Sequence, residues 1–201
     1  MSRTKLIALF LGTALALSIG IALSGLFLPQ GPLVGGIKMT GTPLIGGPFH
    51  LVDENGRPRS DADFRGKLML IYFGYSFCPD LCPTTLATMG QALDKLGPQA
   101  SQVAPLFVTI DPERDTPEHL KGYAEQFGPG ITSLTGTPAE IAEAAHAYKV
   151  YYHKAEAKDG APYLMDHSSV VYLMDRDGRY LANFGPDATP DDIAKAIKSR
   201  L

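Results

Sequence analysis

The sequence predicts an α/β domain on a mixed central sheet, carried behind an apolar segment long enough to cross a bilayer. Three observations lead there. The runs KLMLIYFGY and VAPLFVTI read as strands buried on both faces. Helical stripes with cap residues alternate with those strands and are followed by a hairpin and a last helix. Residues 6–28 run for 23 positions without a charge.

That first segment, LIALFLGTALALSIGIALSGLFL, spans roughly 34 Å as a helix, against a hydrocarbon core of about 30 Å. It is longer than the apolar core of a cleaved signal peptide, about 7 to 15 residues, and LFLPQGP lacks a small-residue cleavage pattern. Residues 1–28 are therefore expected to form an uncleaved anchor. Arg3 and Lys5 precede the segment and the next basic residue is Lys38, which keeps the N-terminus in the cytoplasm and sends the rest across. Residues 29–48, PQGPLVGGIKMTGTPLIGGP, are half Gly and Pro and read as a tether. Residues 49–201 form the expected domain.

Within it, FHLVDENGRP reads as a strand entering a turn, and KLMLIYFGY as a buried strand. TLATMGQALDKLG is helical, with Leu86, Met89, Leu93 and Leu96 on one face and Gly97-Pro98 ending it. VAPLFVTI is a second buried strand. Thr116 and Pro117 then supply an N-cap and first helical position for a helix with Leu120, Tyr123 and Phe127 as its stripe. TPAEIAEAAHAYKV repeats the pattern, and YYHKAEAKDGAPYL reads as strand and loop. SVVYLMDRDGRYLANF reads as two strands around Asp177-Gly178, and DDIAKAIKSRL as the final helix. A thioredoxin-like fold fits that order.

Composition narrows the function. Without Arg3 and Lys5, 16 basic residues face 21 acidic ones, a net charge of −5, and no basic patch is present, which argues against a nucleic-acid partner. A chain of this length buries a sizeable core without disulfide staples, so its two cysteines, Cys78 and Cys82 in GYSFCPDLCPTT, are not needed for folding. They follow a buried strand and enter a helix, where α/β sheets tend to bind ligands. Pro83 in the first turn leaves Cys82 near the N-cap, where free N–H groups and the helix dipole favour thiolate. Pro79 keeps the loop between the thiols from being regular helix.

The C-x-x-x-C spacing lets both sulfurs share one side of a turn, close enough for a disulfide or a shared metal. A thioredoxin-type dithiol normally has C-x-x-C, and a structural zinc site needs four ligands. Copper is satisfied by two soft thiolates and one imidazole. Of five histidines, His167 in LMDHSSVVYLM lies in a polar break before an apolar strand and is placed to be a third ligand, or a loop histidine bonded to backbone. His50, His119 and His146 read as surface or satisfied groups, with His153 less firmly set aside. Met165 reads as core, and Asp80 either as a turn residue or as an electrostatic neighbour of the thiols. Asp111, Glu113, Asp115 and Glu118 crowd a short loop, but Asp and Thr before Pro and Glu are ordinary helix-start chemistry, and Arg114 can pair with them.

Four segments, GGPFHLVDENG, GYSFCPDLCPTT, TIDPERDTPEHLKGY and DHSSVVYLMDRDGRY, together resemble the Sco/SenC family of copper-handling proteins over roughly residues 45–200. The resemblance implies a thioredoxin-like domain and one copper, Cu(I) or Cu(II), bound by Cys78, Cys82 and His167. It implies a single-pass protein of the bacterial cytoplasmic membrane facing the periplasm, or of the mitochondrial inner membrane facing the intermembrane space. Its implied partners are a copper donor and cytochrome c oxidase subunit II, whose dinuclear copper centre it would load. A thiol-disulfide reductase acting on that centre's cysteines through Cys78 and Cys82 is the alternative, and a peroxiredoxin-like peroxidase a third. A permanent local disulfide explains the pair least well, because so short a loop removes little chain entropy.

Overall fold

In chain order the strands are His50–Asp53 (β1) and Pro58–Ser60 (β2), which pair as an antiparallel hairpin, then Leu68–Gly74 (β3), Val103–Thr109 (β4) and Thr132–Thr135 (β5). Tyr152–Lys154 (β6) and Met165–His167 (β7) follow, then Val171–Met174 (β8) and Tyr180–Phe184 (β9). The helices are Leu81–Asp94 (α1), Pro117–Leu120 (α2), Pro138–Ala147 (α3) and Pro190–Lys198 (α4). This computed structural model describes residues 44–156 and 161–201. The apolar run 6–28 and most of the 29–48 tether lie outside the described residues, among which no helix is long and apolar enough to cross a membrane.

Seven strands form one sheet in the order β2-β1-β5-β4-β3-β8-β9, while β6 and β7 make a separate antiparallel ribbon. The central strands β3, β4 and β5 are parallel, and β1 and β8 join antiparallel on either side. This is the mixed sheet expected from the sequence. Every residue of β3 and β4 is buried, as continuous apolar runs require in a sheet covered on both faces. Leu86, Met89, Leu93 and Leu96 of the stripe on and just after α1 are buried in the same core.

Two elements differ from the sequence expectation. The helix foreseen after Thr116 is a single turn, because Gly122 takes a positive φ of 76° and the chain resumes only as a 3-10 turn at Ala124–Phe127. Strand β5 was not foreseen. Its TSLT is short and largely polar, yet it is nearly all buried, with the Ser133 amide donating to Glu54 and the Thr135 hydroxyl to the Asp115 carbonyl.

The caps follow their sequence signals. Thr116 Oγ1 accepts the His119 N–H, and Thr137 and Thr189 form capping boxes with Glu140 and Asp192. At α4 the Thr189 hydroxyl donates to the Asp192 carboxylate over 2.6 Å and accepts the Asp192 N–H over 3.3 Å. Thr189→Ala is expected to lower stability by about 1 kcal/mol, read as a lower urea midpoint. An unchanged midpoint would mean that buried Ile193 and Ile197 hold α4 without the cap.

Candidate metal centre

Strand β3 ends against α1, and the cysteine loop lies between them. Gly74 is needed there, because a Cβ at that position would stand 2.9 Å from Cys82 Sγ and 2.9 Å from the Tyr72 ring. The helix starts earlier than the sequence indicated, at Leu81 with Asp80 as N-cap residue, so Cys82 lies inside the first turn. Cys78 sits just ahead of it, half-buried, and both cysteines are free thiols. The Cys82 backbone N–H donates to Cys78 Sγ over 3.4 Å. The helix N-terminus therefore serves the first sulfur rather than the second.

His167 arrives from the other side on β7, whose register sets it opposite Tyr152 of β6. Its Nε2 lies 3.6 Å from Cys82 Sγ, and its Nδ1 lies 3.3 Å from the Ser168 carbonyl. That second contact is the kind that orients a ligating imidazole, since Nδ1–H donated to a carbonyl leaves Nε2 as the free ligand atom. The Tyr72 and Tyr75 rings meet the imidazole edge-on at 6.2 and 5.9 Å. Ligand atoms of Cys78, Cys82 and His167 all fall within 4.8 Å of one another, the one such group among the described residues. Cys78 and His167 border a cleft of about 240 Å³, also lined by Pro79, Leu81 and Leu164, while Cys82 is fully buried.

The two sulfurs are not equivalent. The Cys82 thiol donates to Cys78 and draws its pKa far below the usual thiol range; burial opposes this, and His167 and the backbone N–H groups of Asp80 and Cys82 add to it. Cys82 moves the other way, because donating to Cys78 and burial both favour its protonated form. Coupling and burial thus favour the proton on Cys82 and the thiolate on Cys78. The sequence expectation put the thiolate near Cys82; Cys82 is fully buried, and although the Tyr72 hydroxyl donates to its sulfur over 3.5 Å, burial and the bond to Cys78 favour the anion on Cys78 instead. In the reduced, metal-free protein, iodoacetamide should alkylate Cys78 first, at a rate nearly flat from about pH 8 to about pH 6 because the thiolate is already formed. Peptide mass mapping reads this directly. A rate falling about tenfold per pH unit would mean an ordinary thiol.

The remaining candidates have other employment. His119 stacks on Phe77 at 4.9 Å and its Nε2 lies 2.8 Å from Ser76 Oγ, so it is a satisfied group. His50 and His146 are exposed, and His153 Nδ1 lies 3.4 Å from the exposed Asp166 carboxylate. Met165 is buried in the core. Asp80 makes no side-chain cap bond; its backbone N–H, not its carboxylate, acts on Cys78.

In the 111–115 loop, Asp111 pairs with Arg114 and Glu113 with Lys154. Asp115 was not singled out by the sequence as anything but helix-start chemistry. It is fully buried, and its carboxylate accepts the Thr109 hydroxyl, the Ser76 hydroxyl and the Ser76 N–H, at 2.6, 2.5 and 3.0 Å. Those bonds offset its desolvation and tie the cysteine loop to the end of β4. No local sequence signal distinguishes this aspartate from its exposed neighbours.

Fold and site together define a thioredoxin-like domain with two thiols and an imidazole converging at the C-terminal edge of its parallel strands. Residues 37–201 match the SCO1/SenC family model, and the chain belongs to that family. The SCO2-like protein of Rickettsia felis is 36% identical over 200 residues, 98% of each chain. The human mitochondrial SCO1 homolog is 39% identical over 163 residues, 80% of this chain and 54% of the human one, so the match spans about half of that relative. Among solved structures, copper-bound ScoI of Bradyrhizobium japonicum is 46% identical with a TM-score of 0.72, covering 78% of this chain and 99% of that one. BsSco, a Sco-family cytochrome c oxidase assembly protein in which a disulfide switch has been identified, is 28% identical with a TM-score of 0.61, covering 77% and 91%.

Proposed function

We propose that this chain is a membrane-tethered copper chaperone that binds one copper ion through Cys78, Cys82 and His167 and delivers it to the dinuclear centre of cytochrome c oxidase subunit II. The observation that carries the reading is the convergence of those three donors within 4.8 Å. Two soft sulfurs suit Cu(I), and the imidazole nitrogen helps hold Cu(II). The copper-bound relatives and the oxidase-assembly role of BsSco support it. Residues 1–28 would anchor the domain to a bacterial cytoplasmic membrane with the site facing the periplasm, and 29–48 would hold it clear of the surface.

Copper is cargo here. Cys78, the thiol that favours ionisation, lines the cleft; Cys82, which favours its protonated form, gives up a proton as it ligates, so loading releases protons. With Cys78 and His167 at the edge of an open cleft, incoming thiolates of an acceptor can replace the three protein ligands one at a time, and the metal is never free.

A second reading is favoured by one feature, the unequal thiols. A half-buried thiolate and a buried protonated thiol are the pair that disulfide exchange uses. Cys78 sulfur attacks one sulfur of an acceptor disulfide, and the departing thiolate takes a proton. Cys82, deprotonated, then attacks Cys78 sulfur and releases the second acceptor thiolate. Two electrons pass to the acceptor, and Cys78–Cys82 becomes a disulfide.

The test is copper titration of the full chain in detergent, wild type against Cys78→Ala/Cys82→Ala, followed by mixing with the copper-binding domain of subunit II. About one copper per chain, lost in the double variant and transferred to the acceptor, is the expected result. No binding by the wild type overturns the chaperone reading, and reduction of the acceptor without metal transfer replaces it with the second.

A further inference from the structure

One guanidinium stands between the two segments that carry the candidate ligands. Arg114 lies on the loop after β4, and its Nε donates to Asp111 Oδ2 over 2.5 Å while Nη1 donates to the Tyr163 carbonyl over 3.0 Å. Its Cζ is 3.7 Å from the centroid of the Tyr163 ring, 4.6 Å from that of Phe77 and 5.7 Å from that of Tyr75. Phe77 immediately precedes Cys78, and the Cys78 N–H donates to the Tyr75 carbonyl. Tyr163 lies just before Met165–His167 and returns its own hydroxyl to Asp111 Oδ1 over 2.9 Å.

The contacts of Arg114 with Tyr163, Phe77 and Tyr75, and of Tyr163 with Asp111, cross between separate pieces of chain. The β6–β7 ribbon belongs to a different sheet from β3, so no ladder of backbone bonds joins the strand carrying His167 to the strand that leads to the cysteines. Side chains must set that distance. The Tyr72 and Tyr75 rings meet the imidazole directly, and Arg114 also touches both sides; a planar guanidinium can do so because it stacks on aromatic rings while donating in its own plane. A lysine offers the charge without the plane.

We infer that Arg114, held by Asp111, is a positioning residue that sets His167 against Cys78 and Cys82 by clamping Tyr163 to the Tyr75–Phe77 segment. The inference rests on the copper-binding reading above. Arg114 touches no metal ligand atom; it acts by fixing where the β6–β7 ribbon lies. Loss of the clamp therefore weakens the form of the site that depends on imidazole, Cu(II), far more than Cu(I), which two thiolates can hold alone.

The experiment measures Cu(II) and Cu(I) affinities and the Cu(II) electron paramagnetic resonance spectrum for the full chain in detergent. Wild type is compared with Arg114→Gln, Arg114→Lys and His167→Ala. Arg114→Gln is expected to lower Cu(II) affinity about 10-fold to 100-fold, the range typical of groups that orient ligands, and to weaken the nitrogen hyperfine signal. Cu(I) affinity should change by less than about threefold on the same argument. Arg114→Lys should fail to restore the nitrogen signal. Arg179→Gln, the same charge change in the exposed β8–β9 turn, should match wild type.

A folded Arg114→Gln protein with wild-type Cu(II) affinity and spectrum overturns the inference, as does full rescue by lysine. If Arg114→Gln does not fold, Tyr163→Leu removes the same ring contacts from the other side and carries the same two expectations. The two readings fail separately. A wild type that binds no copper overturns the proposed function, whereas loss of Cu(II) in His167→Ala but not in the Arg114 or Tyr163 variants overturns only the clamp.

Discussion

Replacing His167 by alanine is expected to remove tight Cu(II) binding while leaving a Cu(I) site on Cys78 and Cys82. The argument is one of donor chemistry. Two thiolates suffice for Cu(I), but Cu(II) is held by the added nitrogen, and Nε2 of His167 is the imidazole atom brought within 3.6 Å of Cys82 Sγ. Loss of a ligand should cost more than loss of a group that merely orients one, so Cu(II) affinity should fall by at least ~100-fold. The same variant separates the two functional readings. Disulfide exchange needs only the thiols, so reductase activity toward an acceptor disulfide should survive in His167→Ala while delivery of Cu(II) stops. The measurements are competitive titration with a chelator of known affinity and thiol counting on the acceptor. Wild-type Cu(II) affinity in His167→Ala would sink the three-ligand site.

The second large effect concerns stability. Gly90→Ala exchanges the poorer helix former for the better one in the middle of α1, a gain of about 1 kcal/mol on propensity alone. The packing reverses the sign. A Cβ on Gly90 would lie 1.7 Å from the Phe127 carbonyl oxygen and 2.8 Å from its carbonyl carbon, and Gly128 Cα is also within contact. These are backbone atoms, so no side-chain rotation relieves the overlap. Either α1 or the Ala124–Phe127 turn must move, at a cost of about 3 kcal/mol, the upper part of the usual overpacking range. The net loss of about 2 kcal/mol should appear as a lower urea midpoint with an unchanged slope. Because α1 also carries Cys82, copper affinity should fall in the same variant. A midpoint equal to or above wild type would mean that the turn yields freely and propensity decides.

Both predictions draw on things the sequence shows unevenly. Gly90 is visible as a glycine within a helical stripe, but nothing local says that another backbone crosses it. Thr116 and Thr137 each precede proline and announce helix starts, and both cap as expected, because capping is chemistry among residues three apart; Thr189, also before proline, caps α4 in the same way. The strands β3 and β4 are equally legible, since burial on both faces demands an unbroken apolar run. Strand β5 was not, because its buried Ser133 and Thr135 are satisfied by partners far along the chain. The short ribbon β6–β7 was seen only as a strand and a loop.

For the site, residue types and spacing put Cys78 and Cys82 on one turn, and His167 was favoured by its placement together with the family resemblance. Residues near in sequence impose such constraints, and a pattern can carry them. The ionisation order of the thiols was decided by the fold, because it depends on which sulfur is fully buried and which receives the N–H groups at the start of α1. The same holds for Arg114 and Asp115. In the chain they are two of several charges in a polar loop, and only the tertiary structure buries the carboxylate among hydroxyls and sets the guanidinium between the cysteine segment and the histidine ribbon. Desolvation and long-range packing are properties of where the chain returns to itself, which no short stretch of it can specify.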